Sequence, residues 1–242
     1  MKSQEQAWEA EYRSSKMLSP SNVPHAEVVR FSRWLKKEAK RAGAPLETDT
    51  LTVLDLGSGT GRNSFYFAEQ GATAIGFEFS DTALALAKKF AAHGDLAIDY
   101  RKQDIGGPFP LGDASVDIIL DVTSSNSLSD AARATYLREC VRVLKPGGSM
   151  FVRALALEGD ANAKALVAQH PGPDADSYIH PDLGIVEKTF TRDSFQKTYS
   201  PYLDIVQLER VSHYNVVAGR KYKRNYWIAY LRKPTAGDSG ID

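Results

Sequence analysis

This sequence predicts a doubly wound α/β fold: a mainly parallel sheet of seven strands, an N-terminal helical cap and a C-terminal antiparallel strand pair. Three observations carry the prediction. From residue 52 onward, short apolar runs alternate with segments of helical period. The first of these runs ends in glycines that lead straight into a helix. Strands that alternate with crossover helices lie parallel and are covered on both faces.

The elements follow in order. Residues 5–17 set Trp8, Tyr12 and Met17 among charges, a weakly amphipathic helix that breaks at Ser19-Pro20. A second helix runs over 25–40 with Val28, Val29, Phe31, Trp34 and Leu35 on one side, and 42–50 is a turn-rich connector. The first strand is 52–56, the next helix 62–70 with Gly71 to end it, and the second strand 72–77. Ser80 and Asp81 cap an alanine-rich helix that reaches Ala92. Strands follow at 96–100 and 116–122, then a helix over 130–144 with Leu137, Cys140, Val141 and Leu144 on one face. Pro146-Gly147-Gly148 turns the chain into a strand at 150–155. The last third carries helices at 162–169 and 192–199, a loop at 171–184, and two strands at 205–212 and 226–232. The organisation is thus a cap over 1–45, a main domain over 46–233 and a polar, disordered tail over 234–242.

Composition narrows the function classes. The chain has 242 residues, with 43% hydrophobic and 25% charged side chains, as in an ordinary globular protein. Thirty basic and thirty acidic side chains cancel, so no chain-wide footprint for nucleic acid exists. Cys140 is the single cysteine, which excludes a disulfide framework and a thiolate cluster. The five histidines lie far apart without ligand spacing, so no metal site is expected. The first fifteen residues lack the apolar run of a signal peptide, and no stretch approaches a membrane span. The expectation is a cytoplasmic protein without a membrane partner.

The most informative stretch is Asp55-Leu56-Gly57-Ser58-Gly59-Thr60-Gly61-Arg62-Asn63. Glycines between a strand and a helix let backbone pass close to a nucleotide-like ligand. The spacing is G-x-G-x-G, and Arg62 stands where a dinucleotide fingerprint has its third glycine. Asp55 adds negative charge, which repels a pyrophosphate and attracts a cationic ligand. Glu78 ends the second strand 21 positions after Gly57, where an acid that accepts from both ribose hydroxyls belongs.

These motifs resemble the class I S-adenosylmethionine-dependent methyltransferases, which are Rossmann-like, and the resemblance covers roughly residues 50–152. VLDLGSGTGRN is similar to their cofactor loop, GFEFS to the ribose-acid strand and Gln103-Asp104-Ile105 to the adenine-contacting segment. VDIILDV is similar to their fourth strand, and RECVRVLKPGG to the helix-turn before the fifth. The resemblance implies S-adenosylmethionine as cofactor and S-adenosylhomocysteine as product. It implies that Asp104 accepts from the adenine amino group with Ile105 behind the ring, and that Glu78 and Phe79 flank the ribose. It places Asp55, Gly57, Ser58, Gly59, Gly61 and Asn63 around the methionine end, and Asp121 with the Thr123–Ser125 turn beside the sulfonium.

Some subclasses can be set aside. The turn after the fourth strand reads Asp121-Val122-Thr123-Ser124, unlike the Asn/Asp-Pro-Pro-aromatic signature of enzymes that methylate planar amino groups. Cys140 has helical-period apolar neighbours and reads as core, not as a nucleophile. The segment with Trp8 and Tyr12 resembles the lid of small-molecule methyltransferases; packing on the sheet edge is the equal alternative. His180 and His213 are candidate general bases, with Tyr12 a further candidate. The basic run Arg220-Lys221-Tyr222-Lys223-Arg224, set between the last two strands, reads as a solvated face, an anion-recognition segment or an RNA contact. The expected function is methyl transfer to nitrogen or oxygen of a small-molecule acceptor. An RNA or protein methyltransferase using 220–224, or a catalytically silent S-adenosylmethionine-binding scaffold, are the alternatives.

Overall fold

A computed structural model describes residues 3–14, 23–217 and 220–235. The expected polar tail lies outside the described residues from position 236, as do Ser19-Pro20 and the end of the first expected helix. Helices α1 (Gln4–Ser14) and α2 (Ala26–Arg41) precede strand β1 (Thr52–Leu56), α3 (Arg62–Ala68), β2 (Thr73–Glu78) and α4 (Asp81–His93). Then come β3 (Ile98–Lys102), β4 (Val116–Val122), α5 (Asp130–Val143), β5 (Leu144–Leu155) and α6 (Ala161–Gln169). The short strands β6 (Ser177–Ile179) and β7 (Val186–Lys188), α7 (Arg192–Tyr199), β8 (Asp204–Val217) and β9 (Arg220–Arg232) complete the chain.

The main sheet has seven strands in the order β3-β2-β1-β4-β5-β9-β8, and β6 and β7 form a separate antiparallel pair. β3, β2, β1, β4 and β5 run parallel, while β9 is antiparallel to both β5 and β8. Two apolar layers hold the sheet between helices. Leu54, Leu56, Ile119, Val152 and Ala229 pack on one face with Tyr136, Leu137 and Cys140 of α5 and Phe195 and Tyr199 of α7. Val53, Ile118, Leu120, Phe151 and Ile228 pack on the other with Val28 and Phe31 of α2 and Phe67 of α3. No helix among the described residues is long and apolar enough to cross a membrane.

Several expected boundaries move, each for a local reason. β3 starts two residues later than its apolar run, because Asp95 takes a positive φ of 53° and Leu96 still donates to the Ala91 carbonyl, closing α4. Pro146-Gly147-Gly148 does not precede β5 but lies within it: Leu144 already pairs with Val116, and Gly147 donates to the Lys233 carbonyl. The 171–184 loop gives way to β6 before it ends, a strand too short to leave a periodic signal. β8 and β9 continue as a hairpin ladder well past the apolar runs, pairing His213 with Arg224 and Val217 with Arg220. The basic run 220–224 is therefore part of β9 and not a connection between strands.

Candidate functional site

The strand order reverses between β1 and β4, and the carboxyl ends of such strands leave a crevice. A cavity of about 780 Å³ opens there. The loop 57–61 leaves β1 with Gly57, Gly59 and Gly61 all at positive φ, a conformation cheap only without a Cβ. A Cβ on Gly59 would come within 2.6 Å of the Tyr12 hydroxyl, so that glycine keeps the loop and α1 apart by the width of its missing side chain.

Glu78, at the end of β2, is only 4% exposed. One carboxylate oxygen accepts from Gly59 N at 3.0 Å, the other from Phe79 N at 2.8 Å and Ser80 N at 2.9 Å. Burial raises its pKa and these three donors oppose the rise. Each carboxylate oxygen has two lone pairs, so the group retains capacity for further donors. Asp104 lies at the next strand end, where Oδ1 accepts from Gly106 N at 2.8 Å.

Two of the expected cofactor acids, Asp121 and Asp55, are buried and are not among the residues lining the cavity. Asp121 is fully buried; it accepts from Ser124 N at 2.9 Å, Ser125 N at 3.2 Å and the Tyr136 hydroxyl at 2.6 Å. It thereby holds the turn after β4, where Thr123 takes the left-handed φ of 66° that a β-branched residue rarely adopts. Asp55, 1% exposed, accepts from the amide of Ser64 at 3.1 Å and its hydroxyl at 2.7 Å, fixing α3 to β1. Burial, countered in part by Ser64, lifts Asp55 to about 6. Gly61 is the N-cap of α3, and the Tyr100 hydroxyl donates to its carbonyl at 3.3 Å.

The remaining expected residues, Gly57, Ser58, Gly59, Asn63, Glu78, Phe79, Asp104 and Ile105, all line the cavity, and so does Tyr12. Burial first, then the charge of Glu78, push the Tyr12 phenol well above its ordinary pKa, so it stays protonated and can donate but not act as a base at neutral pH. α1 spans the cavity. Its Gln4 amide donates to the Ser127 carbonyl at 3.1 Å and the Val186 carbonyl at 3.3 Å, and Trp8 Nε1 to the Ser127 hydroxyl at 3.3 Å. Glu9 accepts from the Ser80 and Thr82 hydroxyls, each at 2.6 Å, at the N-terminus of α4. Burial opposes its ionisation, but these donors hold Glu9 at about 2.

Neither histidine singled out from the sequence is among the residues lining this cavity. His180 sits beside β6, where its Nδ1 accepts from Asp182 N at 3.3 Å. His213 Nε2 lies 2.6 Å from Glu27 Oε1. Of the basic run, Arg224 donates to the Tyr178 hydroxyl at 3.0 Å and its Nε lies 3.7 Å from Asp160 Oδ2. The sequence reading missed Gln4, Ser127, Pro173 and Val186 as walls, since nothing in their residue types marks a site. Arg62 also lines the cavity, and it was visible only as the residue that displaces a glycine.

Comparison with known proteins agrees with this arrangement. Residues 53–148 match the model of a family described as methyltransferase domain. A ubiquinone biosynthesis O-methyltransferase of Pseudomonas paraeruginosa is 28% identical over 159 residues, 56% of this chain and 65% of that enzyme. The match thus spans just under two thirds of that relative's own length. Among solved structures, one concerned with conversion of a disulfide bond into a thioacetal group during echinomycin biosynthesis has a TM-score of 0.67 at 18% identity, covering 97% of this chain and 94% of that one. The 1,6-didemethyltoxoflavin-N1-methyltransferase of Burkholderia thailandensis, with S-adenosylhomocysteine bound, has a TM-score of 0.58 at 17% identity, over 90% of this chain and 94% of that one. At such identities the structural likeness establishes the fold.

Proposed function

We propose that this chain, which carries a class I, Rossmann-like S-adenosylmethionine-dependent methyltransferase domain, transfers a methyl group to an oxygen or nitrogen of a small organic acceptor. One observation carries the reading: a single cavity at the carboxyl ends of β1, β2 and β4 gathers the glycine loop, Glu78, Phe79, Asp104 and Ile105. The residues fit the cofactor. The spare lone pair on Glu78 Oε2 suits a ribose hydroxyl, Asp104 suits an adenine amino group, and Phe79 and Ile105 offer apolar faces to a ring. S-adenosylmethionine supplies an already activated methyl on sulfur, so the chain's task is alignment and exclusion of water.

α1 serves the second task. Gln4, Trp8 and Glu9 tie it to the turn after β4, to β7 and to the start of α4, on opposite sides of the cavity. The acceptor belongs between Trp8, Tyr12 and the wall of Val122, Leu128, Pro173 and Val186, a mostly apolar surface. An oxygen acceptor is the first to test, since the Pseudomonas relative is named an O-methyltransferase. Nucleic acid is not the proposed acceptor, because Arg224 of the basic run is engaged within the fold. A cytoplasmic setting, with Cys140 a buried free thiol, belongs to the same reading.

The test is methyl transfer from labelled cofactor into metabolite, RNA and protein pools. Label is expected in the metabolite fraction, and Glu78→Ala should lower transfer by about tenfold or more. Label in RNA or protein instead would overturn the acceptor class. Cofactor binding without transfer to any pool would mark a silent scaffold.

A further inference from the structure

Among the described residues two cations line the cavity, Lys102 and Arg62, and their surroundings differ. Lys102 Nζ lies 2.7 Å from Asp81 Oδ2 and 3.2 Å from Glu5 Oε1. Arg62, the first residue of α3, is partly buried and follows the glycine loop directly. Its guanidinium has no hydrogen-bond or ion-pair partner among the described residues. Asp55, the acid just before the loop, accepts from Ser64 instead.

The loop backbone has little left to offer an anion. Ser58 N donates to the Phe77 carbonyl at 2.9 Å, and Gly61 N to the Ser58 carbonyl at 2.9 Å. Gly59 N donates to Glu78 Oε2 at 3.0 Å. Three amides of the loop are thus engaged within the fold. Asn63, one residue beyond Arg62, uses its Oδ1 to accept from His25 N at 3.0 Å, and that oxygen repels an anion. The donor that remains at this end of the cavity is the Arg62 side chain.

A guanidinium facing a cavity keeps its water until an anion displaces it, and a carboxylate matches its fork with two parallel charge-assisted hydrogen bonds. S-adenosylmethionine carries one carboxylate, on its methionine chain and away from the ribose that Glu78 suits. We propose that Arg62 binds this carboxylate, so that the chain selects the intact cofactor over forms that lack the group. The proposal rests on the S-adenosylmethionine reading of the cavity. It adds a side chain to the loop expected around the methionine end, and it gives a use to the residue that stands in place of a third glycine.

The probes are S-adenosylhomocysteine and S-adenosyl-3-thiopropylamine, which lacks only the carboxylate, titrated by calorimetry into the full chain. The wild type should bind S-adenosylhomocysteine tighter by about tenfold or more. Arg62→Met should bring the two ligands within about threefold of each other, by loss of affinity for S-adenosylhomocysteine alone. Should the Met variant not fold, Arg62→Lys, which keeps the charge and loses the fork, should weaken S-adenosylhomocysteine by about threefold or more and leave the amine unchanged. Equal binding of the two ligands by the wild type, a preference that survives Arg62→Met, or a folded variant that loses both ligands alike overturns the proposal. Failure of both ligands to bind the wild type defeats the cofactor reading itself, and the proposal with it.

Discussion

Two residues at the cofactor end show how burial decides a role. Asp55 takes both hydrogen bonds of Ser64 yet is lifted to about 6 because it has almost no contact with water. The folded chain therefore holds that proton more tightly than the unfolded chain, whose aspartate titrates near 4. The resulting contribution to stability is complete below about pH 4 and is lost as pH rises through about 6. Asp55→Asn should thus gain stability relative to wild type across that window, by about 2–3 kcal/mol at pH 7.5 compared with pH 4. Urea unfolding at the two pH values reads this directly, and a pH-independent difference would refute the assignment. Gly59 acts through space, not charge. Gly59→Val would set a Cβ 2.6 Å from the Tyr12 hydroxyl at a φ of 57°, so calorimetry should show affinity for S-adenosylhomocysteine reduced by about tenfold or more with the fold retained. Normal binding would make the loop a simple turn.

Among the elements, β9 differs most from its appearance in sequence. Positions 220–224 read as a solvated connection because they are charged, yet they form one side of a ladder with β8. Alternation then separates their fates. Lys223 is exposed, whereas Arg224 turns in to the Tyr178 hydroxyl and to Asp160, which itself caps α6 and accepts from Asn225 N at 2.8 Å. Arg224→Ala should cost about 2–3 kcal/mol in chemical denaturation, since it strips a buried carboxylate of its cation. Lys223→Ala should stay within about 0.5 kcal/mol. Cofactor affinity should be unchanged in both. An Arg224 variant as stable as wild type would return the whole run to the surface. α1 shows the converse. Its weak amphipathic pattern left lid and sheet-edge packing equally open, and polar contacts from Gln4, Trp8 and Glu9 hold it against Ser127 and the start of α4.

For the whole molecule, ligand binding and stability are linked. A ligand present at about a hundred times its Kd adds roughly 2.7 kcal/mol to the folded state. In a chain of this size that corresponds to a rise in Tm of about 5–10 °C. S-adenosylhomocysteine should give such a shift in differential scanning fluorimetry and NAD none; the reverse result would put the reading of the glycine loop in error. The sequence by itself determined the parallel αβ core, the reversal point of the sheet, and the cavity wall of Gly57–Gly59, Glu78, Phe79, Asp104 and Ile105. Those features are local: a strand, a tight turn and a helix start are each written in consecutive residues, and the cofactor end of the fold is built from consecutive turns. The tertiary structure alone decided that Asp55 and Asp121 are buried, that Gln4, Trp8 and Tyr12 of α1 line the cavity, and that Glu27 meets His25 and His213. Those last groups come from positions 25–27 and 213, far apart in the chain. They meet only where α2 and β8 come together in the folded chain, a proximity that no local stretch of sequence encodes.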